Sequence, residues 1–369
     1  LKRSFNPAHY IYIFHSLVST TMMYRLGAFD YYDTILCAGK HQKKEIKLYE
    51  KQHGLDNKKL VDTGYYRLER IMDSYTDYLS NVNSNNNNKT NLKKLNNVKK
   101  FYSKYPFPNY NDFDNILRFV KKTKENNFSK ILSQQIGENK KILEIGCGTG
   151  QLTNYLAATT FSKKIYGTDI SLNSLKLAND FRRKNNLTNI EFFQMNLFNP
   201  CFRKNSMDLV ISTGVLHHTY NPEIGFYRIA ELVKPGGYII ISLYNYLGRF
   251  VSLVNRFLYQ LFGFKGLFLD QYLKSISSQK KSSWIQDQYN HPLESLHSID
   301  EVLSWLKKKQ ITFISSIPKI IGKINKDEKL FKKQFAGDKI DRFNVQFEMI
   351  FNYQFKEAGL FMMIGKKKK

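Results

Sequence analysis

Cysteine is sparse, with Cys37, Cys147 and Cys201 the three present in 369 residues. Spaced so widely they make neither a disulfide ladder nor a zinc-ligand set, and a reducing, cytoplasmic compartment is expected. No apolar run reaches the length of a membrane-spanning helix and no signal peptide is visible. The chain opens on Leu1, not on a start methionine, so missing targeting information weighs little. Acidic residues are also in short supply: 31 Asp and Glu face 57 Lys and Arg, a net charge of +26. The surplus is mostly lysine, in a chain also rich in Asn, Ile, Tyr and Phe, whose codons are A/T-heavy. A compositional bias accounts for that set together. An anionic partner surface and nucleic acid are the lesser readings, because a basic domain is not in itself a contact and no RNA-binding module is recognisable. Lys366 to Lys369 reads as a solvated tail.

What is present is ample for a core: 42% hydrophobic and 15% aromatic residues, over a length that allows two domains or one large domain with an appendage. Residues 1–80 alternate HYIYIFHSLVST and FDYYDTILCAG, which read as strands, with HQKKEIKLYEKQHG at helical spacing, so an α/β layer is expected. The run HSLVST, GAFDYYDTILCAGKHQKKEI and LVDTGYYRLERI resembles the middle of the CDP-glycerol glycerophosphotransferases. The resemblance implies a second, nucleotide-binding domain that does not follow, so this block is expected to be a non-catalytic fragment, with His15 and His41 structural. Residues 81–97, NVNSNNNNKTNLKKLNN, are polar low-complexity sequence and read as a linker.

The remaining residues, 98–369, are organised around Lys141 to Gly150, KILEIGCGTG. A short apolar run breaks into Gly146, Gly148 and Gly150, a buried parallel strand turning into a helix over LTNYLAATT. Glycines there let a ligand lie against the backbone, and the new helix is expected to aim free N–H groups at it. A regular alternation follows: strand KKIYGTDIS ending at Asp169, a helix to about Asn185, strand NIEFFQMNLF, strand SMDLVISTGVLHHT, a helix stopped by Pro235 and Gly236, and strand YIIISLYN. That order demands a doubly wound parallel sheet with ligands at the carboxyl ends of its strands. Residues 246–297 interrupt it with an aromatic amphipathic stretch, an insertion expected to be functional. Helix IDEVLSWLKKK, strand ITFISSI, a helix around Asn344 to Lys356 and strand GLFMMIGKK close the domain.

A glycine loop after a first strand suits a dinucleotide as well as a nucleoside, and Asp169 suits the ribose-binding acid of either. Two details favour the nucleoside: Gln151 stands where a dinucleotide fingerprint has its third glycine, and Glu144 suits an ammonium-bearing ligand. EIGCGTG, GTDIS, QMNLF, DLVISTGVLHHT and LVKPGGYIIISLYN, in that order, resemble a class I S-adenosylmethionine-dependent methyltransferase. The resemblance implies a Rossmann-like sheet of seven strands, the last antiparallel, with an N-terminal α/β fragment and a lid insertion after the fifth strand. It also implies an S-adenosyl-L-methionine site at Glu144, Gly146, Cys147, Gly148, Gly150, Asp169, Ile170, Asn196, Leu197 and Thr213. Asn196 stands where the family commonly has Asp, so a neutral amide would replace a carboxylate.

His217 and His218 follow the fourth strand and are candidate general bases, or simply the entry to a helix. Tyr102, Tyr105, Tyr244, Asn245 and Tyr289 are candidate walls of the acceptor pocket. Tyr102 and Tyr105 sit with Phe107 and Tyr110 among Pro106 and Pro108, a segment that reads as plain packing or as a lid. Asp287 and His291 form either an acid–base pair or an ion pair pinning the lid. No metal site is expected, since Asp287, His291 and His297 lack a recognised ligand geometry. The function expected is a cytoplasmic methyltransferase acting on a small molecule or a surface-glycan precursor. An RNA methyltransferase and a non-catalytic interaction protein are the alternatives.

Overall fold

A computed structural model describes residues 11–13, 34–37, 40–62, 86–107, 116–160, 163–267, 270, 273, 278–322, 328–351 and 359–369. His15, Pro108 and Tyr110 lie outside the described residues, as does most of HSLVST and LVDTGYYRLERI. The chain divides into two compact units, Leu1–Thr90 and Asn91–Lys369. In the first, strands β1 (Ile11–Ile13), β2 (Thr34–Cys37) and β3 (Lys59–Asp62) pair in parallel in the order β1-β2-β3. Helix α1 (Lys40–His53) links the last two and buries Ile46 with Ile35 and Cys37.

The second unit is a seven-stranded sheet in the order β6-β5-β4-β7-β8-β10-β9. Its strands are β4 (Lys141–Ile145), β5 (Lys164–Asp169), β6 (Ile190–Gln194), β7 (Met207–Ser212), β8 (Val233–Tyr244), β9 (Ile311–Ile317) and β10 (Leu360–Lys367). All run parallel except β10, antiparallel to both β8 and β9. Strands of such a sheet are covered on both faces and so read as continuous apolar runs. Alternate residues enter opposite cores: Leu143, Val210 and Ile239 on one face, Ile142, Leu209 and Ile240 on the other. Helices α5 (Gln151–Thr159) and α6 (Leu172–Lys184) follow β4 and β5, and α7 (Pro222–Ala230) precedes β8. The strand order reverses beside β4, which opens a crevice at the carboxyl ends of β4, β5 and β7.

Three local readings are corrected. The linker is helical from Asn86 on: α2 (Asn86–Lys104) brings Leu92, Leu95 and Val98 onto one face at three-residue spacing, a pattern its asparagines and lysines mask. Helix α7 ends at Ala230, and Pro235 and Gly236 lie inside β8 instead of terminating a helix. The pairing passes from Met207↔Val233 to Leu209↔Tyr238, so the residues between bulge out and tolerate a proline and a glycine at φ 78. Lys366 and Lys367 are strand, with Lys366 Nζ 5.2 Å over the Tyr238 ring and Lys367 Nζ donating to Asn205 Oδ1 at 2.9 Å.

Helices α3 (Ile116–Thr123) and α4 (Asn127–Gln135) precede β4. Within the insertion lie α8 (Phe250–Phe262) and α9 (Ser278–Tyr289); α10 (Ile299–Lys308) leads into β9 and α11 (Lys339–Phe351) precedes β10. Phe226 clamps α7 onto the sheet; it is fully buried and its ring centroid is 6.0 Å from that of Trp305. Phe226→Ala should lower stability by about 3–5 kcal/mol in urea unfolding. A loss below about 1 kcal/mol would mean α7 is not held by this side chain.

Candidate functional site

The three loop glycines all have left-handed backbones, φ 71 at Gly146, 54 at Gly148 and 76 at Gly150, but not one shared job. A Cβ on Gly146 would lie 2.3 Å from Val215 Cγ2, so its lack of a side chain lets the loop after β7 close on the loop after β4. Gly150 begins α5 and abuts Ala178 and Phe192, which makes it a packing glycine. Ahead of the start of α5, the N–H groups of the loop itself are engaged. Gly146 and Cys147 N–H donate to Thr168 O (2.7 and 2.9 Å), Gly148 N–H to Asp169 Oδ2 (2.9 Å), Thr149 N–H to Phe107 O (3.4 Å) and Gly150 N–H to Cys147 O (2.8 Å). A loop whose donors are all engaged is a poor phosphate cradle and a good rigid wall.

Two carboxyl groups stand on that wall. Glu144 is 5% exposed, and burial pushes its carboxyl up to about 7, partly offset by hydrogen bonds from Thr153, whose hydroxyl donates to Glu144 Oε2. Asp169 accepts from Gly148 N–H through Oδ2 and from Ser171 N–H through Oδ1 (2.8 Å), and burial raises it against those donors. A carboxylate has about four lone-pair sites, so Asp169 keeps acceptor capacity for a ligand. Burial, with Asp169 and Glu144 nearby, holds the Cys147 thiol protonated.

Both line a cavity of about 540 Å³ that also reaches Gly146, Cys147, Gly148, Ile170, Asn196, Leu197 and Thr213. Gly150 is not on its surface. Asn196 Oδ1 accepts from Phe198 N–H at 3.1 Å, which makes this residue a turn former at the cavity edge. The cofactor that the sequence resemblance implies has an ammonium, a ribose diol and an adenine. A buried carboxyl able to ionise beside a cation, an anchored aspartate with acceptor capacity and an apolar Ile170 fit those three groups.

The same cavity is lined by Tyr102, His218, Tyr244 and Asp287, drawn from α2, the loop after β7, β8 and α9. Tyr102 O–H donates to Asp287 Oδ1 (3.0 Å), and Gln288 Nε2 donates to Asp287 Oδ2 (2.9 Å) and to Tyr244 Oη (3.1 Å). Arg249 braces this set: its guanidinium lies 3.9 Å from the Tyr244 ring centroid and donates to Gln288 Oε1 (2.6 Å) and to both Glu294 oxygens (3.1 Å each). Burial raises Asp287 and pushes His218 down to about 4. His218 Nδ1 is 2.9 Å from Leu293 O, which can only accept, so Nδ1 carries the proton and Nε2 is the basic nitrogen.

His217, His291, Tyr105, Asn245 and Tyr289 do not line the cavity. His217 is fully buried behind Tyr244 with neither ring nitrogen hydrogen-bonded, and its basicity is strongly depressed by burial. His291 stacks on His218 at 3.8 Å, accepts from Leu293 N–H, and is pushed down to about 3 by burial. Asp287 makes its hydrogen bonds to Tyr102 and Gln288 and not to His291, while its charge and that of the His291 ring still act on each other, lowering the one and raising the other. Tyr105 packs on Phe101, Asn245 Nδ2 donates to Gln346 Oε1 (2.8 Å), and Tyr289 O–H donates to Asp270 Oδ2 (2.6 Å). Phe107, from the aromatic segment read as packing or as a lid, lines the cavity; sequence reading missed Gln288 and Arg249, and also Leu95 and the stacked Phe198–Tyr220 pair in the lining. Arginine in an apolar helix start was the one available signal.

Glu144 gives a testable pH dependence. Its folded pKa is raised, so between about pH 4.5 and 7 the folded chain keeps a proton the unfolded chain releases, and stability falls as pH rises. The full effect is on the order of 3 kcal/mol. Unfolding midpoints at pH 5 and pH 8 should differ less in Glu144→Gln than in the parent; an unchanged difference would show that Glu144 is ionised throughout.

The sequence model of a methyltransferase-domain family matches residues 136–359. The chain is 34% identical over 110 residues to an uncharacterized protein of Synechococcus sp., covering 30% of this chain and 26% of that protein. It is 29% identical over 105 residues to a fatty-acid O-methyltransferase of Mycolicibacterium smegmatis, covering 28% of this chain and 37% of that one. It therefore spans well under half of the length of these relatives. Among solved structures it is similar to Haemonchus contortus phosphoethanolamine N-methyltransferase 2 in complex with S-adenosyl-L-methionine, with 16% identity, 74% and 60% of the two chains covered and a TM-score of 0.43. With the family match taking in the glycine loop, Asp169, the loop after β7 and the whole insertion, more than half of the chain, this protein belongs to the methyltransferase-domain family.

Proposed function

We propose that this chain is an S-adenosylmethionine-dependent methyltransferase of the cytoplasm whose acceptor is a small molecule or a surface-glycan precursor. The observation that carries this reading is one cavity lined both by Glu144 and Asp169 and by Tyr102, His218, Tyr244 and Asp287. The cofactor supplies an electrophilic methyl on a sulfonium that brings its own leaving group. Glu144 would hold the ammonium, Asp169 the ribose hydroxyls and Ile170 one face of the adenine, with Gly146 and Gly148 as the flat floor. Charge-assisted bonds of this kind contribute roughly 1.5–3 kcal/mol each.

The chain's remaining task is to hold the acceptor in line and, for an O–H or N–H acceptor, to take its proton. Alignment alone can contribute about 7–11 kcal/mol. His218 Nε2 is the base this reading assigns, and the Tyr102–Asp287–Gln288 set orients the acceptor. The cavity wall has three carboxyl groups and, among the described residues, no lysine or arginine. An uncharged or cationic acceptor group suits it better than a phosphate, which weighs against RNA despite the net charge of +26. The satisfied loop and anchored Asp169 weigh against a non-catalytic module. We read residues 98–369 as the catalytic domain, with 246–297 as its lid. Residues 1–80 we read as the glycerophosphotransferase-like fragment; that fragment alone favours a glycan precursor, whereas relatives named for fatty-acid and phthiotriol dimycocerosate acceptors favour a lipid-like one.

Calorimetry should find S-adenosylmethionine binding that Asp169→Ala weakens at least tenfold; no binding, or no effect of that change, would reject the cofactor assignment. Because Glu144 must ionise to meet an ammonium, the dissociation constant should fall about tenfold per pH unit on approaching pH 7 and level off above it. His218→Gln should lower kcat about 10²–10⁴-fold with cofactor affinity unchanged. The acceptor itself is identified by methyl transfer from labelled cofactor to small-molecule, cell-envelope or RNA fractions, label in RNA alone being the result that would displace this reading.

A further inference from the structure

Helix α8 is built inside out. Its protein-facing side is polar, with Arg249 at its start, Ser252 and Asn255 being 1%, 3% and 0% exposed. Its outer side is apolar: Phe250, Phe257 and Leu261 are 56%, 60% and 57% exposed, and the stripe runs on through Phe262 (61%) and Phe264 (74%). A helix that faces water has the opposite polarity. The orientation is enforced, because Arg249 is held by Glu294 and Gln288 and lies against Tyr244, and Tyr259 packs on Tyr289 of α9 at 5.9 Å. Rotating α8 to hide its phenylalanines would break that buried ion pair.

The charges within the stripe's own segment are of one sign. Positions 246–269 contain no Asp or Glu, and the next acid, Asp270, is 2% exposed and accepts from Trp284 and Tyr289. Lys265 beside Phe264, and Lys281 on α9, are exposed. No helix among the described residues is long and apolar enough to cross a membrane. An aromatic stripe with a cationic flank and no acid is the composition of a helix lying in a bilayer interface rich in anionic lipid. We propose that α8 docks flat on an anionic lipid surface, with its phenylalanines at the headgroup–acyl boundary and Lys265 and Lys281 among the headgroups. The inference stands on the helix alone and does not need the methyl-transfer reading. Since α9, which packs on α8, also supplies Trp284, Asp287 and Gln288 to the cavity lining, the docked helix and the cavity share a neighbour.

The test is co-sedimentation of the full chain with vesicles of phosphatidylglycerol and phosphatidylcholine in equal parts, and with phosphatidylcholine alone, over a range of salt. Retention should require phosphatidylglycerol and fall with salt. The double change Phe257→Ser and Leu261→Ser should weaken it at least tenfold while far-ultraviolet circular dichroism and the urea midpoint stay put; both residues are over half exposed, so the fold should not depend on them. Lys265→Glu with Lys281→Glu, the stripe intact, should weaken it several-fold. No retention would overturn the proposal. Unchanged retention of the stripe variant would also overturn it, assigning binding to general positive charge. So would light scattering in which the parent is a dimer and the stripe variant a monomer without any vesicle binding, since the stripe would then be a protein interface.

Discussion

The hydrogen bond from Gly148 N–H to Asp169 Oδ2 is the contact on which the site depends. It ties the turn after β4 to the end of β5, and it exists because Gly148 takes a left-handed backbone that turns its N–H sideways. Together with the two N–H groups donating to Thr168 O, it leaves the turn with no unsatisfied donor. The turn is therefore stiff and neutral, and the negative charge of the site is concentrated on Asp169 and Glu144. Such a surface suits a cationic, hydroxyl-bearing nucleoside, the opposite of the phosphate-binding turn that the glycine spacing first suggests.

Charge is organised by depth. Outside, lysine dominates; inside, the cavity wall has carboxyl groups and no base stronger than imidazole among the described residues. Burial acts on both kinds of group in the direction of neutrality, raising Glu144, Asp169 and Asp287 and lowering His217, His218 and His291. Each group is thus moved toward its uncharged form, Glu144 as far as about 7. A cationic ligand would draw out the Glu144 carboxylate on arrival, so affinity and protonation are linked through one side chain.

The acceptor wall is held from behind by arginine. Arg249 satisfies Gln288 and Glu294 and stacks on Tyr244, and Gln288 in turn orients Asp287 and Tyr244. Because α8 and α9 are locked to the domain through this network, the insertion is part of the site and not an appendage. The same lock turns the phenylalanine face of α8 outward, which joins the build of the pocket to the proposed attraction for lipid.

Sheet class, the succession of strands along the chain and the positions of Glu144 and Asp169 were legible in the chain itself, because parallel strands buried on both faces must be continuous apolar runs and the loops at their ends must carry the polar groups; the order of the strands across the sheet was not. The helical part of the asparagine-rich segment was not legible, since three apolar residues among lysines and asparagines are too weak a periodic signal. Nor was the bulge at Pro235 and Gly236, which depends on where β7 runs. Partnership was the larger loss. Tyr102 and Asp287 are 185 positions apart, and no local pattern says that they share a proton. Spacing placed His217 and His218 equally near the chemistry; packing alone decided that His218 reaches the cavity while His217 is buried behind Tyr244, because which side of a turn faces a crevice is set by what packs against its other side.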